Sequence, residues 1–393
     1  MKIVYCLDSI SRIGGIEKIT VLKANAIAET EGWEVFIVVC DHVEGCGFAD
    51  MLSAKVRLVN LGVGYGDIDW RTRLHGILGL LGKKRRHKRL LRRVLREIEP
   101  DIVISTGLLE KFMLPSVAGG SITVREFHFS RSHRRLAYRN SSLFDRIIER
   151  FADWYEYGYL LRRYNHIVVL TNEDKESNWK HWPDEKMSVI PNFITTDGNV
   201  RPIASRDGRK FIAAGRLVPQ KNFSSLIRAF RAVAYRQPEV VLEIYGDGAQ
   251  YDMLQNFIND LHLGNNVYLK GATMHLPEKM AEASCFVLTS LYEGFPIVIA
   301  EAMSCGLPVV SYDCPCGPKD LITEGADGFL VPVGDEQALA EKICHIIENR
   351  DARIEMGRCA LKKSESYRPE RIVPMWTSLF GRLLEAKRQR LER

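Results

Sequence analysis

The amino-acid sequence predicts an α/β protein of two domains, each built on a parallel β-sheet that helices cover on both faces. Two observations lead to this prediction: short, continuous apolar segments recur along the whole chain, and segments with helical spacing separate them. Continuous apolar strands are buried on both faces, which is typical of parallel sheets. The chain of 393 residues is long enough for two domains, each with its own hydrophobic core.

The same alternation runs through both halves of the chain. In the first half, strands are predicted at Lys2–Leu7 and at residues 34–40, 101–105, 121–124 and 166–170, and a helix at residues 17–29. In the second half, strands are predicted at residues 211–214, 240–245, 267–269, 285–289 and 308–311, and helices at Phe223–Arg236, residues 250–261, residues 276–283 and Ile297–Ser304. A polar segment with prolines at residues 189–209 is predicted to join the halves, and residues 369–393 form a predicted basic helix.

Composition narrows the class of protein. Hydrophobic residues make up 46% of the chain and charged residues 26%, a balance typical of globular proteins. No apolar segment approaches the roughly 20 residues that span a bilayer, and the apolar start is too short for a signal peptide, so we expect a cytoplasmic protein. The nine cysteines lack zinc-site spacing, so we expect reduced thiols and no metal site.

Two glutamates eight residues apart, Glu293 and Glu301, flank a turn that follows a predicted strand. Gly294 and Pro296 are expected to form this turn from strand to helix. At the helix start, backbone amides over residues 295–297 would favour an anionic ligand such as a phosphate. Carboxylates and amides in one cleft suit a ligand with both hydroxyls and a diphosphate. Without the Gly-Phe-Pro turn, the pair would indicate no more than glutamates on a solvated helix.

A pair of cations, Arg216 and Lys221, follows the strand predicted at residues 211–214. The connection from strand to helix lies at the carboxyl edge of the sheet, where ligands bind in open α/β folds. A guanidinium can bind a diphosphate through two parallel hydrogen bonds, and an ammonium acts as a point charge. The pair therefore predicts a diphosphate site, although two exposed cations on a loop are common in any protein.

Two glycine-rich turns also follow predicted strands. Gly14 and Gly15 come after the first strand and open the first helix, and Gly246 and Gly248 follow the strand at residues 240–245. Glycine allows the backbone to approach a ligand closely. Neither turn completes the Gly-x-Gly-x-x-Gly pattern, so the fingerprint of a dinucleotide cofactor is absent.

Together, these motifs closely resemble those of the retaining GT-B glycosyltransferases of family 4, especially bacterial enzymes that build capsule, exopolysaccharide and lipopolysaccharide repeats. The resemblance covers nearly the whole chain and is strongest over residues 211–331, which contain Gly-Arg-x-x-x-x-Lys, Glu-x7-Glu, Gly-Leu-Pro-Val-Val-Ser and Asp-Gly-Phe-Leu-Val. It implies two Rossmann-like domains facing each other across a cleft. Residues 1–190 would form the acceptor-side domain and residues 191–370 the nucleotide-sugar domain, with residues 371–393 crossing back onto the first.

The resemblance also implies roles for individual residues. Arg216 and Lys221 would bind the donor diphosphate, Glu293 the hydroxyls of the transferred sugar, and Glu301 the ribose. His128 falls where relatives place a histidine beside the donor sugar, so it joins Glu293, Arg216 and Lys221 as a predicted catalytic residue. The other predicted donor-binding residues are Gly14, Gly15, Gly246, Lys270, Gly271, Phe295, Pro296 and Ile297.

The activity implied by the resemblance is front-face substitution with retention of configuration, in which the leaving phosphate assists the acceptor hydroxyl. The implied donor is a nucleotide sugar, preferably UDP with a gluco- or galacto-type hexose that is N-acetylated or not, and neither a cofactor nor an essential metal is expected. One departure concerns Cys314 and Cys316, in a segment where relatives often have a glutamate. Asp320 is expected to stand in for that glutamate one residue later.

The first half of the chain carries the excess positive charge, with 30 Lys and Arg against 24 Asp and Glu over residues 1–190. Much of it lies in a predicted amphipathic helix at residues 83–96, whose apolar stripe is Leu90, Leu91, Val94 and Leu95. A basic amphipathic helix suits an anionic membrane surface, and we expect its apolar stripe to enter the headgroup region. The nine cations of this predicted membrane and acceptor patch are Lys83, Lys84, Arg85, Arg86, Lys88, Arg89, Arg92, Arg93 and Arg96.

With a glycosyltransferase core, this patch favours a lipid-linked saccharide acceptor at the inner face of the cell membrane. A nucleic-acid partner is not expected because aromatic residues that would stack on bases are scarce in it. A second basic cluster lies at residues 131–139, and a solvated helix is the simpler explanation of either. Two other functions stay open: a GT-B sugar-nucleotide epimerase, and a basic membrane or nucleic-acid binding protein with a degenerate core. A phosphorylase would need a phosphate or pyridoxal site, which the sequence lacks.

Overall fold

The computed structural model describes residues 1–11, 14–42, 47–67, 73–131, 142–195 and 208–392. The strands of the first sheet are β1 (Lys2–Leu7), β2 (Glu34–Val39), β3 (Val56–Asn60), β4 (Ile102–Ser105), β5 (Ile122–Glu126), β6 (His166–Val169) and β7 (Met187–Val189). The strands of the second are β8 (Lys210–Ala214), β9 (Val241–Tyr245), β10 (Val267–Gly271), β11 (Cys285–Leu288), β12 (Val309–Tyr312) and β13 (Gly328–Val331).

All strand pairs in both sheets are parallel. The strand orders are β3-β2-β1-β4-β5-β6-β7 and β10-β9-β8-β11-β12-β13. In each sheet the order reverses beside the first strand of the domain, as in doubly wound folds. The predicted fold class, two Rossmann-like parallel-sheet domains, is confirmed.

Helices cover both faces of each sheet. Those of the first domain are α1 (Gly15–Ala28), α2 (Arg73–Ile98), α3 (Leu114–Val117), α4 (Leu143–Asp153), which runs into a π-helix (Trp154–Leu160), and α5 (Asn172–Asn178). The second domain has α6 (Phe223–Arg236), α7 (Tyr251–Asp260), α8 (Leu276–Ala281), α9 (Ile297–Ser304), α10 (Pro318–Leu321), α11 (Glu336–Glu348) and α12 (Arg350–Ser364).

The last helix, α13 (Pro369–Glu392), lies on the first domain rather than on the second. Its Trp376 and Phe380 are fully buried in the same core as α1 and β1. The Phe380 ring lies 5.6 Å from the Trp376 ring and 6.1 Å from the Trp33 ring, measured between centroids. The buried aromatic side chains therefore tie the end of the chain to its beginning.

The predicted strand positions agree with the structure to within two residues, and so do most of the predicted helices. The helix predicted at residues 83–96 is longer in the structure, where α2 begins at Arg73. Three strands were missed or unassigned. β3 and β7 lie at the two edges of the first sheet, where β3 has exposed positions and β7 has only three residues, so neither forms a continuous apolar run. β13 lies at an edge of the second sheet, within the Asp-Gly-Phe-Leu-Val motif.

The chain passes between the two domains twice, and the two crossing segments are hydrogen-bonded to each other. In the first of these segments, Ile194 N–H donates to the carbonyl of Tyr367 in the second, at 2.9 Å. Residues 196–207 of the predicted hinge lie outside the described part of the chain. Within the described residues, no helix is both long enough and apolar enough to cross a membrane.

Candidate functional site

The carboxyl ends of β5 and β11 face each other at a seam where Gly294 lies against the segment after β5. A Cβ atom at residue 294 would lie 2.2 Å from the carbonyl oxygen of His128, so the two backbones approach this closely only because residue 294 is glycine. The seam brings Glu293 of the second domain and His128 of the first, two predicted catalytic residues, to the same part of the cleft.

Glu293 forms an ion pair with Lys221. The Lys221 Nζ and Glu293 Oε1 atoms are 2.7 Å apart, and the two side chains are 14% and 9% exposed. Lys221 ends a short 3-10 turn after β8, and Asn222, in the left-handed region, is the N-cap residue of α6. The backbone amide of Glu293 donates to the carbonyl of Pro315. The structure therefore joins the two motifs that were predicted separately.

Arg216 projects into solvent from the same connection. Among the described residues it has no ion-pair partner, so its guanidinium is available to an anionic ligand. Two backbone contacts hold its loop: Leu217 N–H donates to the carbonyl of Asp247 at 2.8 Å, and Gly246 packs on Gly215. A Cβ atom at Gly246 would lie 1.9 Å from the Gly215 carbonyl oxygen. Packing of the two loops alone therefore requires glycine at residue 246.

The glycine turn before α1 lies across the cleft from α9. Among the described residues, a Cβ atom at Gly15 would meet nothing within 4 Å, so the backbone there is open to a ligand. Gly14 is the N-cap residue of α1 and has no side chain to cap it. One turn later, the Lys18 Nζ lies 3.0 Å from the Glu301 Oε1 across the cleft. Lys18 was not predicted, although its position one turn after two glycines could have suggested a phosphate-side cation.

The amides at residues 295–297 differ from the prediction. Pro296 has no amide hydrogen, and the Ile297 N–H donates to the carbonyl of Phe295 at 2.8 Å. The expectation that all three residues present free N–H groups was wrong, because the turn uses its own amide. The Phe295 side chain is buried and its ring packs on that of Tyr367, 5.7 Å away.

Lys270 and Gly271 lie at the carboxyl end of β10. Gly271 has a positive φ of 74°, and a Cβ atom there would meet nothing within 4 Å in the described part of the chain. Its carbonyl accepts a hydrogen bond from the Gly246 amide. The Lys270 Nζ lies 4.0 Å from a Glu243 oxygen and is 43% exposed. The Gly271 backbone therefore borders open space beside the β9–β10 edge.

His128 is connected to a buried ion pair. Its Nε2 atom lies 3.4 Å from Glu126 Oε1, and the same oxygen pairs with the Lys23 ammonium. Lys23 and Glu126 are completely buried, and the ammonium lies 4.4 Å from the centroid of the Trp376 ring. Burial lowers the pKa of His128 to about 4, although Glu126 opposes this. His128 is therefore neutral at pH 7 and can accept or donate a hydrogen bond.

Acid should destabilise the first domain through His128. Its folded-state pKa of about 4 lies below the ordinary value of 6.5, so the unfolded chain binds a proton between these values that the folded chain does not. The free energy of unfolding is therefore expected to fall as the pH drops from about 6.5 to about 4. Urea unfolding at a series of pH values checks this, and His128→Gln should flatten the slope by about one proton. An unchanged slope would mean that His128 titrates normally.

The segment at residues 314–320 holds the two domains together. Asp320 accepts hydrogen bonds from the backbone amides of Asn172 and Glu173, at 2.8 and 3.2 Å, and so caps α5 of the first domain. The Gly317 amide donates to the Glu173 carboxylate, and the Cys316 thiol donates to the Ser130 hydroxyl. The Asp320 carboxylate is committed to these contacts, so it does not stand in for a glutamate at the sugar site.

The predicted membrane patch lies on α2. Its most exposed cations are Lys84, Arg85, Arg86, Arg89, Arg92, Arg93 and Arg96, while Lys83 and Lys88 are partly buried. The apolar stripe is not available to a membrane, because Leu91 and Leu95 are 1% and 3% exposed and pack in the core of the first domain. The expectation that this stripe enters a headgroup region was therefore wrong. Residues 132–139 of the second basic cluster lie outside the described residues.

Two Rossmann-like domains that meet across a cleft are the arrangement implied by the resemblance to GT-B glycosyltransferases. Family models agree with this fold. Residues 13–197 match the Glycosyltransferase Family 4 model, and residues 200–363 match the model of the Glycosyl transferases group 1. The chain belongs to the GT-B glycosyltransferases of the group 1, family 4 type.

Several curated proteins are similar in sequence. An exopolysaccharide phosphotransferase of Streptomyces coelicolor is 32% identical over 302 residues, which are 76% of this chain and 30% of the relative. An uncharacterized glycosyltransferase of Methanocaldococcus jannaschii is 27% identical over 75% of this chain and 82% of its own length. A poly(glycerol-phosphate) alpha-glucosyltransferase of Bacillus subtilis is 30% identical over 46% of this chain and 27% of the relative. The match thus spans less than a third of the first and third of these relatives.

Solved structures share the fold over nearly the full length. TarM of S. aureus, in a complex that contains UDP, has a TM-score of 0.75 at 16% identity, covering 96% of this chain and 99% of TarM. HepE of Anabaena, in complex with UDP and glucose, has a TM-score of 0.72 at 20% identity, covering 97% of this chain and 99% of HepE. At these identities the likeness establishes the GT-B fold.

Proposed function

We propose that this protein is a retaining glycosyltransferase that moves a gluco- or galacto-type hexose from UDP to a hydroxyl of a lipid-linked saccharide. The observation that carries the proposal is the sheltered Lys221–Glu293 pair, in which an ammonium suited to a diphosphate lies 2.7 Å from a carboxylate suited to sugar hydroxyls. The solved complexes of TarM with UDP and of HepE with UDP and glucose support this type of donor. The poly(glycerol-phosphate) named for the B. subtilis relative supports an acceptor that is part of a polymer.

The cations and glutamates of the site would bind different parts of the donor. Lys221 and Arg216 would bind the diphosphate and stabilise the negative charge that grows on it as the C1–O bond breaks. Glu293, released from Lys221 by the donor, would bind hydroxyls of the transferred sugar. Glu301 would bind the ribose, with Lys18 moving from Glu301 towards the phosphates. The open backbones at Gly15 and Gly271 would face the diphosphate and the base.

The acceptor hydroxyl would attack C1 from the face that the diphosphate leaves, and its proton would pass to a leaving phosphate oxygen. Neutral His128 would lie beside the sugar as a hydrogen-bond partner. No step of this scheme needs a metal ion, because protein cations neutralise the leaving group. The exposed cations of α2 would hold the protein at the anionic inner face of the membrane, where a lipid-linked acceptor resides.

Glu293→Gln and Glu301→Ala are expected to affect different kinetic constants. Glu293 serves the sugar in the transition state, so its replacement should lower kcat by about tenfold. Glu301 serves the ribose in both the ground and transition states, so its loss should mainly raise the donor KM. Steady-state kinetics of donor turnover measure both, with Glu355→Gln on the exposed face of α12 as the control. Near-wild-type constants for both variants would contradict the assignment.

The donor can be identified by thermal shift. UDP-sugars are expected to raise the Tm more than GDP-sugars, because a ligand that binds only the folded protein stabilises it by mass action. Product analysis then separates the candidate activities. Sugar released to water or joined to an acceptor supports a transferase, whereas an epimeric UDP-sugar formed without any acceptor would identify an epimerase. Equal shifts with all nucleotides would contradict a UDP site.

A further inference from the structure

A second surface of the first domain is strongly apolar. Large apolar side chains along α4 and the π-helix are between 38% and 71% exposed: Leu143, Ile147, Ile148, Phe151, Trp154, Tyr155 and Tyr159. We call these seven residues the apolar ridge. Exposed apolar patches of this extent are unusual on soluble domains and indicate contact with another apolar phase or partner.

The helix that carries the ridge turns part of its polar side towards the protein. Leu143, Ile147, Phe151 and Trp154 are spaced so that they share one face, and that face is exposed. Glu149 and Asp153 lie outside this face and are half-buried, and each has a buried carboxylate oxygen. A helix on the surface of a soluble domain normally has the reverse arrangement. The face that would ordinarily form a core is therefore presented outward.

A cavity lies behind the helix. The cavity has a volume of about 430 Å³, and both charged and aromatic side chains line it, among them Arg131, Asp153, Trp154 and Tyr157. Arg131 lies over the Tyr157 ring, 4.6 Å from its centroid. Charged groups thus line part of the space between α4 and the body of the domain, and of the ridge residues Trp154 also borders it.

The ridge continues to the edge of the cleft. The Tyr155 ring stacks on that of Phe112, with centroids 6.5 Å apart and planes at 24°. Phe112 and Leu108 are 42% and 54% exposed, and the Leu108 amide donates to Asp8 at the carboxyl end of β1. An apolar path therefore runs from α4 to the first domain's side of the cleft, where the acceptor would enter.

The chemistry of the ridge favours a lipid surface over a second protein. Trp154, Tyr155 and Tyr159 cluster at one end, and tryptophan and tyrosine are the side chains enriched at membrane–water interfaces. Four exposed arginines flank the ridge: Arg146, Arg150, Arg162 and Arg163. The π-helix and α2 also pack on the same face of the first sheet, because Tyr157 and Leu91 belong to one hydrophobic core. The basic patch and the ridge thus belong to one layer of the domain.

We propose that the apolar ridge inserts into the headgroup region of an anionic membrane, while the α2 cations supply long-range attraction. The ridge provides the apolar contact that was expected of the α2 stripe, which the core uses instead. This inference rests on the proposed function, since it adds the site of membrane insertion to an enzyme with a lipid-linked acceptor. It makes the apolar and electrostatic parts of membrane binding separable by mutation.

The test is co-sedimentation with vesicles of phosphatidylcholine alone or mixed with phosphatidylglycerol, at low and high salt. The triple variant Leu143→Gln, Ile147→Gln, Phe151→Gln should bind anionic vesicles at least tenfold more weakly at both salt concentrations, because apolar burial is insensitive to screening. Arg85→Gln, Arg86→Gln, Arg89→Gln and Arg92→Gln together should weaken binding mainly at low salt. The control replaces three exposed apolar residues of the second domain, Tyr235, Met253 and Met274, by glutamine, and should bind as the wild type does.

Insertion can also be observed directly. Brominated lipids should quench wild-type tryptophan fluorescence, and Trp154→Phe should remove most of the quenching. Binding of the triple variant equal to that of the wild type would overturn the proposal. So would a wild-type dimer by light scattering that the triple variant converts to a monomer, because the ridge would then be a protein interface. Donor hydrolysis by the triple variant should equal that of the wild type, and a wild-type protein without hydrolysis would contradict the proposed function separately.

Discussion

Lys221→Ala is expected to lower kcat/KM for the donor by about 10²-fold or more. In the free protein the Lys221 ammonium is 2.7 Å from Glu293 and only 14% exposed, so the charge acts in a sheltered cleft where electrostatic stabilisation is strong. Removing it deprives the leaving diphosphate of a cation and leaves Glu293 without its partner. Steady-state kinetics with a UDP-sugar measure the loss, and calorimetry measures the accompanying loss of UDP binding.

Arg216→Ala separates the two consequences of that change. Arg216 also faces the proposed diphosphate, but it forms no ion pair with Glu293, so its loss should weaken UDP binding and lower kcat/KM without disturbing the carboxylate. The double variant Lys221→Ala, Glu293→Gln then reports how much of the Lys221 effect comes from an unpaired Glu293. Arg358→Ala, in an exposed pair on α12, is the control and should have no effect. Unchanged UDP affinity in both single variants would exclude a diphosphate site here.

The sequence predicted which loops form the site, because each motif follows a buried strand. Apolar runs such as Lys2–Leu7 and residues 285–289 are identifiable from the sequence, and the topology of a parallel sheet brings their carboxyl ends to one edge. That argument was enough to place Lys221 and Glu293 near one another. It could not show that the two side chains form a pair, since their separation in sequence is 72 residues.

Contacts between the domains could not be predicted from the sequence. Lys18 meets Glu301 only because the two domains close on each other, and no local pattern marks it. The need for glycine at residue 294 also depends on how the domains meet, because Gly294 lies close to His128 of the other domain. The helical spacing on α2 identified an apolar stripe but not its use, because periodicity cannot distinguish a face that contacts a core from one that contacts a membrane.

The buried pair of Lys23 and Glu126 should give the largest effect on stability. Glu126→Gln leaves the Lys23 ammonium unpaired in the core, and breaking a buried ion pair in this way costs about 3–5 kcal/mol. Lys23→Met should cost a similar amount, because it leaves the Glu126 carboxylate unpaired. The double variant, which removes both charges, should lie much closer to the wild type. The free energy of unfolding, from urea titration followed by circular dichroism, measures the cycle.

The pH dependence identifies the charge responsible. Burial lowers the pKa of Lys23, and Glu126 opposes this shift, so Glu126→Gln should lower that pKa further. The unfolded chain then binds a proton that the folded variant does not, up to the ordinary pKa of 10.5. The stability of Glu126→Gln should therefore rise relative to the wild type as the pH increases towards that value. Glu29→Gln, in the exposed pair with Lys55, is the matched control and should change little. Additive losses in the cycle, or a parallel pH dependence of the variant and the wild type, would show that the pair is not coupled.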